Sequence, residues 1–489
     1  MSSKKDQLAR IVGAGNVSDD PAVLEAYARD QSFATPLRPW FVVRPQNQEE
    51  VQALVQWAND TLTPLVPVSS GGPHFHGDTV PSRGEAVIVD LGRMKAILRI
   101  DRRNKIAVIE PGVTYAELEP ALAREGLRIS RPLLPRANKS VIASLLERQP
   151  TLIPRLNFLL PEPLRDCGVV WGTGVVAYTG EAGAKSMSLE AQWKSGSVQL
   201  NPHGPAGTDF VRLLTGAQGS MGIVVWASVK CELVPAAHKL FAVPAKRLED
   251  LVDVVYRLTR LRLGDELFVL NAAQLASLVE PRADAIGALQ ARLPAWTLVV
   301  GLGGAAYYPE ERVAVQEGQL RTLVQQAGLR LDTDLAGVAN ATLLAALHGM
   351  CETRHWKLNR RGGCQDIFFL TQLEQAPQFV ATLQSVAAAV GYPAGDIGIY
   401  VQPQHQGVAH HVEFSLPFDP ADAAQRARVA QLLEQGSTAL IERGAYFSRP
   451  YGPWAQMVYS RDATSTRMLR MVKDILDPKN ILNPGKLCW

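Results

Sequence analysis

The chain has 489 residues, of which 47% are hydrophobic and 20% are charged, so it can bury a large core and is expected to divide into two or three parts. Its net charge is +3 and its lysines and arginines are interleaved with acids, which argues against a nucleic-acid partner. Five cysteines lie far apart without a CxxC pair, so neither a disulfide framework nor a thiolate metal site is expected. The polar first twenty residues and the lack of an apolar run of ~20 residues predict a cytoplasmic protein without a membrane span.

The first part of the chain alternates between helical and extended patterns. Apolar spacing predicts helices over 21–31 and 48–60, and Thr114 is expected to cap a further helix over 115–125. Extended runs predict strands over 40–45, 65–68, 86–91, 96–100, 105–110, 168–177 and 222–234. Residues 132–165 are rich in proline and are predicted to be irregular.

The pattern changes between about residues 238 and 440. Strands such as 297–301 alternate there with long amphipathic helices, which are predicted over 248–262, 309–327, 375–391 and 421–443. This arrangement predicts an α+β insert with its own core. The chain then returns to a single helix over 465–476.

Three glycine clusters are candidates for a nucleotide-binding loop. The cluster at 13–15 lacks the third glycine of a dinucleotide fingerprint, and the cluster at 301–304 is not followed by a helix start, so both are predicted to be ordinary turns. The loop 69–72 has two serines and two glycines directly after a strand. Small residues there let backbone N–H groups approach an anion closely, which favours a pyrophosphate.

Five sequence blocks around this loop occur in a definite order, at 67–72, 87–95, 108–114, 219–224 and 477–486. Their residues and spacing resemble the vanillyl-alcohol oxidase/4-cresol dehydrogenase (p-cresol methylhydroxylase) superfamily of flavoproteins. The resemblance runs from the strand at 41–45 to the C-terminus and implies FAD as the cofactor.

The resemblance implies an α+β fold in which a two-lobed FAD-binding domain carries an inserted α+β cap domain. The FAD-binding domain would occupy 1–235 and return at 446–489, with the cap over 236–445. The residues that this implies for FAD binding are Ser69, Ser70, Gly71, Gly72, Pro73, His74, Ser144, Gly222, Ile223, His411, Asn483 and Lys486.

A substrate site at the flavin ring is implied between the cap and the FAD-binding domain. Arg449 corresponds to an arginine that holds a phenolate or carboxylate, and Tyr451 is a candidate partner for it. His76 stands where phenol-oxidising members have a tyrosine, which argues against a classical para-alkylphenol substrate. Asp166 falls within about one position of the catalytic acid of the family.

His411 resembles a cap position that, in some members of the superfamily, bonds covalently to the flavin. An imidazole nitrogen is a competent nucleophile for that bond. The alternative interpretation is a hydrogen-bonded histidine on a strand.

Two other interpretations of the chain are kept. His405, either His410 or His411, and Glu413 are candidate ligands of a divalent ion in a metal-assisted D-2-hydroxy-acid dehydrogenase. His348 and His355 are further candidate contributors, although a helix would not place these two on one face. The Gly-Asp-Gly-rich stretch of that branch is absent near 405–413, so no metal is predicted.

A non-catalytic flavin-binding subunit of a larger complex is the alternative of another class. It is kept because the 140–172 stretch departs from the pattern of the resembled superfamily, and because the tyrosines that its phenol-oxidising members use are missing. For an enzyme the partner is a small-molecule substrate. The electron acceptor (O₂, a cytochrome or another carrier) and a homo-oligomeric state are left open.

Overall fold

The computed structural model of the chain describes residues 3–153, 163–184, 187–196, 208–335, 338–352, 354–404 and 407–489. Among these residues, no helix has the length and apolar character needed to cross a bilayer.

A small sheet of four strands opens the fold. Its elements in chain order are α1 (Lys4–Val12), β1 (Val17–Ser18), α2 (Pro21–Ala28), β2 (Phe41–Val43), α3 (Gln48–Thr61), β3 (Leu65–Val68) and β4 (Val87–Asp90). The strand order is β1-β2-β4-β3, and β4 is parallel to both of its neighbours. Because β3 ends at Val68, the loop 69–72 begins at the carboxyl end of a parallel strand, where α/β folds place ligands.

A second, antiparallel sheet follows directly. Its elements are β5 (Ile97–Asp101), β6 (Ile106–Ile109), α4 (Tyr115–Arg124), β7 (Leu127–Ile129), α5 (Val141–Leu146), β8 (Leu164–Trp171), β9 (Val176–Tyr178), α6 (Leu189–Lys194), α7 (Val211–Leu214) and β10 (Gly222–Leu233). The long strand β10 lies between β6 and β8 and also pairs with β7. Thr114 caps α4 through a capping box with Glu117, so this predicted helix start is confirmed.

The prediction for 132–165 was partly wrong, because α5 lies inside this proline-rich stretch. The Ser140 side chain accepts the N–H of Ala143 and starts the helix. Helix α5 spans only six residues, too few for a periodic pattern to be read from the sequence.

The third sheet has six antiparallel strands in the order β11-β13-β12-β17-β18-β16. Its region contains β11 (Ala237–Ala245), α8 (Glu249–Arg260), β12 (Leu267–Asn271), α9 (Ala272–Val279), α10 (Ala283–Gln290), β13 (Trp296–Gly304), α11 (Pro309–Gln326), β14 (Asp334–Leu335), β15 (Val338–Ala339), α12 (Asn340–His348), β16 (Gly363–Thr371), α13 (Ala376–Ala389), β17 (Gly398–Gln404), β18 (Ala409–Phe418) and α14 (Ala423–Glu442). The four predicted long helices of this region are confirmed as α8, α11, α13 and α14.

The two faces of this sheet differ in character. Val412 and Phe414 of β18 belong to a large apolar core that also contains residues of α13 and α14. The alternate residues His411 and Glu413 therefore face the opposite side of the sheet, because side chains alternate along a strand.

The glycines at 301–304 lie in β13 rather than in a turn, so that prediction was wrong. The physical reason is packing, because two carboxylates occupy the space above this strand. A Cβ at Gly301 would lie 1.9 Å from an oxygen of Glu266, and a Cβ at Gly303 would lie 2.3 Å from an oxygen of Asp265. Gly13 does end α1 with a positive φ of 84°, as a turn requires.

The C-terminal segment contains α15 (Pro453–Tyr459) and α16 (Ala463–Leu476) and then returns to the first sheet. The N–H of Leu65 donates to Ile481, and the N–H of Asn483 donates to Leu65, so the tail lies beside β3. The second sheet ends at Leu233 and the third begins at Ala237. This change supports the division into 1–235, 236–445 and 446–489, which stays a prediction.

Candidate active site

A cleft opens where β3 ends opposite α5 and the start of β10. Five of the residues predicted to bind the cofactor line it, namely Ser69, Ser70, His74, Gly222 and Ile223. The cleft has a volume of about 110 Å³.

The loop 69–72 is held in place by residues 136–140. The N–H of Gly71 donates to the carbonyl of Asn138 at 3.1 Å, and the Asn138 side chain donates to Gly72 at 2.9 Å. A Cβ at residue 71 would lie 2.6 Å from the Asn138 amide nitrogen, so glycine allows the Asn138 side chain to approach the loop this closely. The Gly71 N–H was expected to face an anion, but it donates its hydrogen bond to the Asn138 carbonyl.

The other residues of the first part of the chain that were predicted to bind the cofactor lie near the cleft but do not line it. Gly71 and Gly72 of the loop, and Pro73 directly after it, are not among the described residues that line the cleft. Ser144 is buried in α5, where it bonds with the Tyr115 hydroxyl at 3.0 Å and donates to Gln149 at 2.7 Å. Its hydroxyl therefore supports the wall of the cleft.

The tail residues Asn483 and Lys486 hold the backbone of the loop that follows the glycines. Asn483 donates to the carbonyls of Asp78 and Gln218, and Lys486 donates to those of Gly77 and Val80. Both side chains bind backbone carbonyls, so they shape the cleft through its loops.

A second cavity continues directly from the cleft, and His74, Asp78 and Glu147 line both. It lies between the loop 74–78 and the third sheet. Its aromatic lining consists of Phe75, His76, His355, Trp356, Phe368 and Tyr400. An extended ligand in the cleft can therefore reach an aromatic chamber at its end.

Three of the four residues predicted to be catalytic meet around Phe368. The Arg449 guanidinium lies 4.0 Å from the centre of the Phe368 ring, and Arg449 is buried. The ring of His76 stacks on Tyr451 at 4.6 Å and contacts Phe368 edge-on at 5.5 Å. Burial lowers the pKa of His76 to about 4, which keeps its imidazole neutral at physiological pH.

Charged groups at the junction of the two cavities shift one another's pKa values. Lys139 forms an ion pair with Glu147, and Glu147 also accepts a bond from Gln149 at 2.9 Å. Although burial acts to raise it, Lys139 and His76 hold the pKa of Glu147 below its ordinary value. Burial and the Glu147 charge raise the pKa of Asp78 to about 7. Asp78 thus titrates near neutral pH.

A second ionic group lies on the third sheet, facing the aromatic cavity. Lys357 donates to Asp366 of β16 at 2.7 Å and forms an ion pair with Glu413 of β18. The other oxygen of Glu413 lies 3.3 Å from Nε2 of His411. Burial acts to lower the pKa of Lys357, but the two carboxylates raise it above its ordinary value.

The sequence interpretation missed most of these charged residues. Asp78, Lys139, Glu147, Lys357 and Asp366 were not predicted to belong to the site. Lysines and acids are usually solvated, and nothing local in the sequence distinguishes these five. The position of Asp78, only two residues beyond His76, was the one available signal.

Asp166 lies apart from this group. It is fully buried in β8, where its N–H donates to the Ser228 hydroxyl at 2.9 Å. Burial raises its pKa to about 9, against the effect of a hydrogen bond from the Ala182 backbone. Asp166 is not among the described residues that line either cavity, so its catalytic role stays a prediction.

The histidines and Glu413 that were kept as metal ligands do not converge within the described ranges. His410 lies on the opposite face of β18 from His411, and its ring contacts Tyr256. Lys357 already supplies a positive charge to Glu413, and His405 lies outside the described residues. His355 lines the aromatic cavity, whereas His348 lies near His238 and Glu266.

Comparisons with known proteins agree with this architecture. A family model described as FAD binding domain matches residues 39–140, and one described as FAD linked oxidases, C-terminal domain, matches residues 371–487. An uncharacterized FAD-linked oxidoreductase of Mycobacterium tuberculosis is 22% identical over 496 residues, which is 99% of each chain. The glycolate oxidase subunit GlcD of Bacillus subtilis is 23% identical over 501 residues, covering 99% of this chain and 96% of that protein.

Two solved structures share the fold over nearly the whole chain. p-Cresol methylhydroxylase with substrate bound has a TM-score of 0.82 at 20% identity, covering 99% of this chain and 96% of that one. The isoeugenol complex of 4-ethylphenol oxidase from Gulosibacter chungangensis has a TM-score of 0.81 at 22% identity, with the same coverage.

The fold, the cleft and these matches define an FAD-linked oxidoreductase. The chain contains an FAD-binding domain and the C-terminal domain of FAD-linked oxidases, it shares the fold of p-cresol methylhydroxylase and 4-ethylphenol oxidase, and its cofactor is FAD. The residues fit this cofactor, because the glycine-containing cleft leads into a cavity that holds a buried arginine and aromatic rings.

Proposed function

We propose that the enzyme oxidises a small aromatic alcohol or an alkylphenol-like compound that carries an anionic oxygen. The observation that carries this proposal is the buried Arg449 guanidinium, which lies in an aromatic cavity at the end of the cofactor cleft. A planar guanidinium binds a phenolate or a carboxylate through two parallel hydrogen bonds.

The aromatic walls would orient the ring of the substrate. Phe368 and Tyr400 come from the third sheet, whereas Phe75 and His76 come from the loop beyond the glycines. Stacked and edge-on ring contacts favour a flat aromatic substrate between these two surfaces. His76 would bind the substrate with a neutral imidazole where phenol-oxidising relatives have a tyrosine.

The chemistry divides between the cofactor and the chain. When bound, FAD supplies the acceptor for a hydride from the substrate carbon. Arg449 would hold the substrate anion, and Tyr451 would fix the ring of His76 by stacking. Neutral His76 is suited to accept a hydrogen bond from the substrate hydroxyl, because its lowered pKa leaves a ring nitrogen unprotonated at physiological pH.

His411 is proposed as the site of a covalent bond to the flavin. Its Nε2 lies 3.3 Å from Glu413, and this contact favours the tautomer with the proton on Nε2. Precipitation with trichloroacetic acid tests the bond. A yellow pellet from the wild type and a colourless one from His411→Ala would support it, and full release of FAD from the wild type would end it.

An initial-rate assay with an artificial electron acceptor tests the substrate class. We expect 4-hydroxybenzyl alcohols to give a kcat/KM well above those of D-lactate and glycolate, and 4-hydroxybenzoate to inhibit competitively. A higher kcat/KM for the hydroxy acids would reject the aromatic substrate. Replacing the artificial acceptor with O₂ or with cytochrome c then identifies the acceptor class.

Oxidation of a 2-hydroxy acid is the second candidate. The observation that favours it is a second buried arginine, Arg136, which lines the same cavity as Arg449. The glycolate oxidase subunit of Bacillus subtilis is a relative over nearly the full chain length. In this case a carboxylate would bind to Arg449 and Arg136 without a metal ion, so chelators would leave the activity unchanged.

A further inference from the structure

A cluster of two imidazoles and one carboxylate lies outside the proposed active site. It consists of His238 on β11, Glu266 directly before β12 and His348 at the end of α12. One ligand atom from each of these residues lies within 4.8 Å of the others. In the described part of the chain, this is the one group of three such side chains at metal-ligand spacing.

The geometry within the cluster is already close to a coordination sphere. Nε2 of His238 lies 2.7 Å from one oxygen of Glu266, and Nε2 of His348 lies 3.9 Å from the other. Tetrahedral coordination by nitrogen and oxygen at ~2.0–2.1 Å places ligand atoms about 3.3 Å apart. The His348 side chain is 40% exposed, and its Nε2 would have to move closer to Glu266 by roughly 0.6 Å to reach this spacing.

The ligands are held by a second layer of bonds from the second sheet. Arg128 of β7 donates to Glu266 at 3.2 Å and to Asp265 at 2.7 Å. Arg131 donates to the carbonyls of Leu347 and Gly349, on either side of His348. Such outer contacts orient ligands and are a regular feature of metal sites.

The cluster also has space beside it for water molecules. Gly301 leaves room for the Glu266 carboxylate, because a Cβ at this position would lie 1.9 Å from one of its oxygens. A cavity of about 160 Å³ lies beside Glu266 and His348. This volume has room for several waters, one of which completes a four-ligand set.

We propose that His238, Glu266 and His348 bind one divalent transition-metal ion of the Zn²⁺ type, with water as the fourth ligand. Two imidazoles and a carboxylate are ligands that Zn²⁺ prefers. The ion joins β11, β12 and α12, and Arg128 and Arg131 connect this group to the second sheet. The site lies outside the two proposed ligand cavities, so it acts on stability rather than on the redox reaction.

The test uses full-length, tag-free holoenzyme that has been treated with a chelator and then dialysed against Zn²⁺ or Co²⁺. We expect one ion per chain by elemental analysis, and a visible absorption typical of four-coordinate Co²⁺. The ion should raise the Tm of the wild type, because an ion that binds only the folded state stabilises it.

His348→Gln and His238→Gln should each weaken the binding of the ion at least tenfold and abolish the Tm shift. Glu310→Gln, at an exposed position in the first turn of α11, is the control, because it removes a carboxylate outside the cluster and its supporting bonds. It should keep both the ion and the Tm shift. If the wild type retains no ion, or if the two histidine variants retain it as well as the control does, the proposal is overturned.

Discussion

At the scale of single residues, function depends on a few side chains whose environment changes their chemistry. Arg449 is buried against Phe368, His76 is neutral at physiological pH, and Asp78 titrates near pH 7. None of these properties follows from the residue type alone. Each arises because the loop 74–78, the tail and the third sheet meet at one cavity.

Arg449→Lys tests the binding of the substrate anion. Lysine keeps the positive charge but lacks the planar fork, so we expect kcat/KM for the aromatic substrate to fall by about 10- to 100-fold. Arg443→Lys, at an exposed position just after α14, is the matched control. Steady-state kinetics on both variants measure the effect. Equal kcat/KM values for Arg449→Lys and the wild type would show that Arg449 does not bind the substrate.

Asp78→Asn tests the raised pKa of Asp78. The folded-state pKa of about 7 lies above the ordinary value of 3.8, so the folded protein binds this proton more tightly than the unfolded chain does. Its contribution to stability is therefore complete below about pH 4 and is lost as the pH rises through 7.

The free energy of unfolding of Asp78→Asn should accordingly increase relative to the wild type between pH 5 and pH 8. Denaturant unfolding at both pH values measures this difference, and Asp60→Asn at the exposed end of α3 serves as the control. A difference between variant and wild type that stays constant with pH would contradict the shifted pKa.

At the scale of secondary-structure elements, the third sheet separates two environments by the alternation of its strands. In β18, Val412 and Phe414 enter the apolar core, while His411 and Glu413 face the cavity side. Glu413 lies opposite Phe368 of β16, and Lys357 bridges the two strands through Asp366 and Glu413. The ionic group therefore depends on the register of β16 and β18.

Lys357→Met tests the contribution of this bridge. Removal of the ammonium leaves two buried carboxylates without their partner, so we expect the free energy of unfolding to fall by about 3–5 kcal/mol. Lys246→Met, at an exposed position after β11, should change it little. Urea unfolding of the FAD-loaded proteins measures both. A loss below about 1 kcal/mol for Lys357→Met would mean that the pair behaves like an exposed one.

At the scale of the whole molecule, the sequence predicted the parts that have a local cause. The strand at 65–68, the serine–glycine loop after it and the capped helix that begins at Tyr115 each follow from neighbouring residues. The long amphipathic helices of the third region were predicted for the same reason. The resemblance to a family added Arg449, His76 and Tyr451, which the fold brings together around Phe368.

The parts that were missed depend on contacts between distant segments. Lys357 meets Glu413 across 56 positions, and Asn483 bonds with the carbonyl of Asp78 across 405 positions. The buried position of Asp166 depends on its neighbours in the second sheet, which no local pattern reveals. Pairings of this kind are set by the topology of the sheets, so a single sequence does not contain a local signal for them.

Anaerobic reduction of the bound flavin by substrate tests the central claim most directly, because it requires the cofactor cleft and the aromatic cavity to work together. Purified full-length protein, loaded with one FAD per chain, would be titrated with 4-hydroxybenzyl alcohols, alkylphenols and D-lactate without oxygen. We expect stoichiometric bleaching of the oxidised flavin spectrum by an aromatic alcohol, with much slower bleaching in Arg449→Lys than in Arg443→Lys. A fully loaded flavin that stays oxidised with every compound would contradict an enzymatic role and would favour a non-catalytic subunit.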